Sequence, residues 1–258
     1  MPAGDRRGLT SPVCLRYRSC MPARAHPLNT LLDDAARGRF PPADMDVDVL
    51  PSPPGESDAV VAFSGHNVVA ATVDPAEVRA HLPDDDPGGP MSAPFLTWLG
   101  SRLGAEPGSL DLVLVAERTD AAVHAGTLIP REDAVAHARV TRALLHRSDV
   151  AVYSDRERGG VVVVGRGLAG RLEVSIEVEP SRRGEGLGTA LARSALQLVP
   201  TDEPLFAQVS PGNAASLRAF LSAGYRPICS EVLFLRPADP RLATSRGRQR
   251  PSGTSPSP

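Results

Sequence analysis

The stretch EPSRRGEGLGTALARSALQLV, residues 179–199, places glycine at every second position, Gly184, Gly186 and Gly188. Two arginines, Arg182 and Arg183, precede them, and an apolar helical period follows through Leu187, Ala190, Leu191, Ser194, Ala195 and Leu198. That helix must begin at 186–188, where unpaired N–H groups and the positive end of the helix dipole favour an anion. The bare backbone permits close approach and the arginines add fixed charge, so the chemistry indicated is phosphate binding. The alternative is a Gly-rich turn with solvated arginines, which leaves three flexible residues without a use. A Walker A loop is excluded because it needs a lysine, and all 28 basic residues of this chain are arginine. The dinucleotide fingerprint GxGxxG also fails: the spacing is GxGxG, with Leu191 where the third small residue would fall. Immediately upstream, LEVSIEVE alternates Leu172, Val174, Ile176 and Val178 with Glu173, Ser175, Glu177 and Glu179. A row of carboxylates therefore runs along one face of the strand that leads into the loop.

Several elements must hold that loop in place. Residues 131–149 read as one helix, with Val135, Ala138, Leu144 and Leu145 among its apolar positions. Runs at 150–155, 160–167 and 171–180 are separated by Gly or Asp turn chemistry and predict an antiparallel meander. Beyond the loop, LFAQVS (205–210) reads as a buried strand and residues 213–224 as a helix capped by Asn213 and stopped by Gly224. The segment 225–237 suits one bent strand or a hairpin. Nearer the start lie a helix over 28–37, the alternating MDVDVLP, and a hairpin about Gly65-His66. A helix then opens with Asp74 and Pro75, followed by a helix with Phe95, Leu96, Leu99 and Leu103 on one face and the strand LDLVLVAE (110–117). Residues 26–109 carry no chemical motif, and Trp98 reads as core. Residues 1–25 and 238–258 lack any apolar period and read as disordered.

With the elements in order, the motifs resemble a family. RGEGLG, Arg183–Gly188, matches the R/Q-x-x-G-x-G/A signature of the GNAT superfamily of N-acetyltransferases, and follows a strand ending in Val178 and Pro180. About 25 residues on, NAASLRAFLSAGY resembles the family's second motif, with Asn213, Ser216, Phe220, Gly224 and Tyr225 at its positions. The likeness covers about 110–237. It implies an α/β GNAT (acyl-CoA N-acyltransferase) fold: a mixed, mostly antiparallel sheet flanked by helices, here with an N-terminal α/β extension or degenerate lobe over 26–109. It also implies acetyl-CoA as cosubstrate. The pyrophosphate would rest on amides of Arg183, Gly184, Gly186, Leu187, Gly188 and Thr189, and the pantetheine arm would pair with the strand at Ile176 and Val178. Asn213 and Ser216 would contact the CoA arm, although Asn213 equally reads as a simple helix cap.

Acetyl transfer to an amine of pKa near ~10.4 calls for a base. The resemblance puts Glu173 or Glu177 in that role, against the alternative of a solvated strand face. It also expects a tyrosine that protonates the leaving thiolate, but this chain has Phe220 there. Tyr225 reads as core, and Ser222 or water could substitute. A non-catalytic acyl-CoA-binding regulatory module is therefore the competing function.

Composition bounds the rest. A formal charge of −2 and a pI near 6.3 argue against nucleic-acid or membrane-surface partners. Cys14, Cys20 and Cys229 form neither a disulfide framework nor a metal spacing, and the six histidines are scattered. No run approaches the roughly 20 apolar residues of a membrane span, and the first residues lack a secretory pattern. Met21 is a second candidate start. The expectation is a cytoplasmic enzyme with a small-molecule amine or peptide acceptor and no metal, compatible with a homodimer.

Overall fold

A computed structural model describes residues 26–83, 86, 88–118 and 127–236; the expected tails at 1–25 and 238–258, with Cys14, Cys20 and Met21, lie outside the described residues. In chain order the elements are α1 (Pro27–Ala36), β1 (Val47–Leu50), β2 (Ser57–Phe63), β3 (His66–Ala70), α2 (Pro75–Ala80), α3 (Ala93–Leu103) and β4 (Pro107–Ala116). Then follow β5 (Ile129–Pro130), α4 (Ala138–Leu144), β6 (Ser148–Ser154), β7 (Gly160–Arg166), β8 (Leu172–Val178), α5 (Leu187–Ala195), β9 (Leu205–Val209), α6 (Ala214–Ser222) and β10 (Arg226–Leu235). All the strands join one mixed, mostly antiparallel sheet in the order β1-β3-β2-β10-β4-β9-β8-β7-β6-β5. This is the fold class the sequence led us to expect.

The caps form as their residues dictate. Asp74 accepts from the Ala76 amide and Asn213 from the Ser216 amide, while Gly224 takes φ +98° after α6. The meander β6-β7-β8 is antiparallel throughout, and β2-β3 is the hairpin predicted about Gly65. The last segment is one strand, bent by irregularities at Pro227/Cys229 and Val232/Phe234.

One helix differs from expectation. Residues 131–149 do not form a single helix: a 3-10 turn covers Glu132–Ala136, and His137, in extended backbone, starts α4 afresh by accepting from the Arg139 amide. Val140 and Ala143 are the buried positions of α4, whereas Leu144 and Leu145 are more than half exposed. The buried stripe of α4 therefore runs through Val140 and Ala143 and not through Leu144 and Leu145, and Ser148 already belongs to β6.

Helices α2, α3, α5 and α6 pack on one face of the sheet, and α1 and α4 on the other. The three strands of the first part are joined to the rest through β10, which pairs with β2 on one side and β4 on the other. β4 in turn lies between β10 and β9. Residues 26–109 and 110–237 thus contribute to a single sheet. Trp98 packs in the α3 core and stacks on His81 with ring centroids 4.0 Å apart. No helix among the described residues is long and apolar enough to cross a membrane.

Candidate functional site

The parallel pair at the centre of the sheet comes apart. β8 and β9 pair only at Leu172↔Leu205 and Glu173↔Phe206. Past Glu173 they diverge, leaving backbone of β8 without a neighbour on that side. Two cavities meet at this split, one on each side of the sheet, and share Arg139, Ile176, Asn213, Ser216 and Phe220 in their walls.

The first cavity, about 600 Å³, lies over the glycine loop. Gly184 and Gly186 have φ of +85° and +80°, and no heavy atom lies within 4 Å of where a Cβ would stand. Side chains there would be strained by the backbone and not by crowding. Gly186 is the N-cap of α5, and no side chain caps the helix. The first amides of α5, from Leu187, Gly188 and Thr189, lack intrahelical acceptors by geometry and border the cavity. Ile176, Val178, Arg183, Asn213 and Ser216 complete the expected set, all of it brought together around one cleft. The two arginines differ. Arg182 is engaged by Glu157 and Glu185, both at 2.8 Å, so it is not the free phosphate charge expected. Arg183 is exposed, and its Nε donates to the Val178 carbonyl at 3.3 Å.

The second cavity, about 410 Å³, opens on the face that carries α4. Its floor is mostly polar because alternate residues of β8, β9 and β4 point the same way, Glu173 and Ser175, Gln208 and Asp111, with Leu233 of β10 beside them. Beneath them a charged network is fully buried. Arg171 Nε donates to Glu173 at 2.8 Å and its Nη2 to Glu231 at 2.7 Å. Gln208 donates to both carboxylates, at 2.9 and 3.0 Å. From the end of α4, Arg147 donates to Glu173, Ser175 and Gln208 at 2.9, 3.2 and 3.3 Å. The Leu168 amide adds a further donor to Glu173 at 3.1 Å. Burial alone raises the Glu173 pKa, but the Arg171 and Arg147 guanidiniums outweigh it and hold the carboxyl below the usual range. Gly167 is glycine because of this carboxylate, since a Cβ there would stand 2.1 Å from Glu173 Cδ.

Glu177 sits differently, half-exposed at the edge of the first cavity with Arg139 Nε at 3.3 Å. Phe220 is buried against Tyr225 in an edge-on ring contact. The Tyr225 hydroxyl donates to the Ala192 carbonyl at 3.2 Å, and burial pushes its pKa up, so it is core, as its position suggested.

Four residues of the second cavity escaped the sequence reading: Asp111, His146, Arg147 and Gln208. Asp111 is half-buried; burial raises its pKa against the opposing pull of the Ser109 hydroxyl and Arg142. The His146 pKa is lowered by burial first and then by Arg142 and Arg147. An acid inside the apolar strand LDLVLVAE was the only visible signal. The others come from segments up to 61 residues apart and left none.

No family model matches this sequence, and no curated protein matches it. Among solved structures, the chain is similar to a protein described as a GNAT-family acetyltransferase from Novosphingobium aromaticivorans (18% identity over 51% of this chain and 66% of that one, TM-score 0.37). It is also similar to a GCN5-related N-acetyltransferase from Kribbella flavida (18%, 75% and 92%, 0.39) and a tandem GNAT protein from the clavulanic acid biosynthesis pathway (14%, 71% and 65%, 0.39). The chain spans just under two thirds of the length of the first and the last. These similar structures are GNAT-family acetyltransferases, the family whose two motifs the sequence resembles.

Proposed function

We propose that the protein is an acetyl-CoA-dependent N-acetyltransferase whose donor and acceptor meet at the split between β8 and β9. The observation that carries this reading is the continuity of the two cavities through that split, with a bare helix N-terminus on one side and a polar, charged floor on the other. The amides of Leu187, Gly188 and Thr189 hold the pyrophosphate, with Arg183 nearby and the Thr189 hydroxyl as a further donor. Unpaired backbone of β8 at Ile176 and Val178 receives the amide-bearing arm, and Asn213 and Ser216 border it. Acetyl-CoA bound in this way supplies an activated thioester. The acceptor, a small-molecule or peptide amine, enters from the second cavity.

Two carboxylates are candidates for the base. Glu177 has a half-exposed carboxylate bound only through Oε2, which leaves Oε1 to take the amine proton directly or through water. Glu173 already accepts four hydrogen bonds, and its role in this reading is to position Arg147 and Gln208. Residues 110–237 form the transferase proper, and 26–109 complete its acceptor side; Ser57 and Glu106 in the cavity wall support that division. One observation favours the alternative of a non-catalytic acyl-CoA-binding module: Phe220 and the engaged Tyr225 provide no free phenol at the junction. A thiol of pKa near ~8.5 leaves tolerably without one.

The test combines calorimetry with CoA and thiol release from acetyl-CoA in the presence of primary amines. Binding with amine-dependent thiol release is the expected result. Binding with no release for any amine selects the non-catalytic module, and no binding removes both readings.

A further inference from the structure

The second cavity is lined by six charged side chains, and three of them, Arg139, Arg147 and Glu173, are already neutralised. Arg147 is held by Glu173, and Arg139 by Glu177 from the neighbouring cavity. Glu231, which faces Asp111 directly across the β4-β10 pair, is held by Arg171 and Gln208. Glu106, Asp111 and Arg142 remain. Arg142, exposed on α4, acts on Asp111 through its charge, but among the described residues no hydrogen bond or ion pair joins the two. Asp111 is half-buried in the floor, and its one hydrogen bond comes from the Ser109 hydroxyl at 3.0 Å. A half-buried carboxylate with a single neutral donor is under-neutralised, and the group it lacks is a cation. Its place in the register decides which cation. β4 and β9 pair Leu112 with Val209 and Val113 with Gln208, which sets Asp111 beside Ser210, a step along the floor from the split. Glu106, just before the same strand, also lines this cavity.

We propose that the acceptor is an amine carrying a second positive charge, and that Asp111 holds this second charge while the reacting amine lies at the split. The inference rests on the acetyltransferase reading above. Keeping the carboxylate off the reacting nitrogen matters chemically, because a direct ion pair would stabilise the protonated, non-nucleophilic amine. The other groups lining this cavity that titrate or carry charge are Glu106, Arg139, Arg142, His146, Arg147 and Glu173, and Glu231 lies across the β4-β10 pair. His146 is held towards its neutral form, so it does not compete for the carboxylate.

Thiol release from acetyl-CoA distinguishes the outcomes, using three acceptors of matched length: an α,ω-diamine, a monoamine and an ω-amino acid. The wild-type protein should prefer the diamine in kcat/KM. Asp111→Asn should lower that value about ten-fold or more through KM, since a charged hydrogen bond is lost, and leave the monoamine within about two-fold. CoA affinity, measured separately by calorimetry, should not change. Equal use of the three acceptors, no use of any of them, or an unaltered diamine preference in Asp111→Asn overturns the proposal while CoA binding still stands. Absence of CoA binding in the wild type overturns the underlying reading, and the proposal with it.

Discussion

The two cavities are built on opposite plans. Apart from Arg139, the donor side is assembled from residues 176–222, consecutive elements whose contribution is mostly backbone: glycines at positive φ and the uncapped start of α5. The acceptor side collects side chains from β2, β4, α4, β8, β9 and β10, and its central hydrogen bonds join residues 26, 35 and 60 positions apart. One side therefore depends on conformation that glycine alone allows. The other depends on a buried electrostatic network in which each charge exists because of a partner far away in the chain.

The largest effect that separates the two plans should come from Glu173. Removing it as Glu173→Ala leaves Arg171 and Arg147 without their shared anion, and breaking such a buried pair costs about 3–5 kcal/mol. Thermal unfolding should shift down sharply. A variant that keeps its stability but loses all turnover would instead make Glu173 the base. Gly188→Val tests the other side. Gly188 lies inside α5 with ordinary backbone, and its Cβ would meet Ala219 and Val178 at 3.6 and 3.7 Å, so the fold tolerates a side chain. The isopropyl group enters the cleft and should weaken CoA binding by roughly a hundred-fold, the loss of about two charged hydrogen bonds. Gly186→Val is a poorer probe, because φ +80° strains any β-branched residue. CoA affinity in Gly188→Val equal to the wild type would make the loop structural.

How legible each side was in the sequence follows from the same contrast. The glycine spacing, the helical period after it, Asn213 and Gly224 are local signals; the structure places the glycine loop and Asn213 around one cleft, and Gly224 ends α6. The alternation of β8 put Glu173 and Glu177 on one face correctly, but alternation cannot say that Arg147 and Arg171 would close over the first and leave the second half-open. The helix over 131–149 was misread because Leu144 and Leu145 suggested a buried stripe, whereas a restart at His137 turned Val140 and Ala143 inward. The insertion of β4 between β9 and β10, which brings Asp111 to the site, is a long-range pairing that no local pattern encodes.

Smaller effects sharpen the contrast. Asn213→Ala should cost about 1 kcal/mol as a lost helix cap, with a modest loss of CoA affinity; no change in unfolding would remove the cap role. A pH effect should appear far from both cavities. Burial lowers the His66 pKa, but its bonds to Asp44 at 2.9 Å and Asp48 at 3.3 Å outweigh that and raise it overall. A folded pKa above the unfolded 6.5 means that this contribution is complete below pH 6.5 and fades as pH rises through the folded value. Hydrogen exchange at β1 and β3 should therefore quicken, beyond the intrinsic rate, as pH rises above 6.5 through the raised folded value. His66→Gln should abolish that dependence; an unchanged dependence would assign it elsewhere.

Hydrogen exchange in the presence and absence of saturating CoA tests the central claim most directly. The donor cleft predicts new protection over 178–189 and at Asn213–Ser216, with the strands β1–β3 unaffected. Protection confined to residues 26–109, or none at any position, would contradict it.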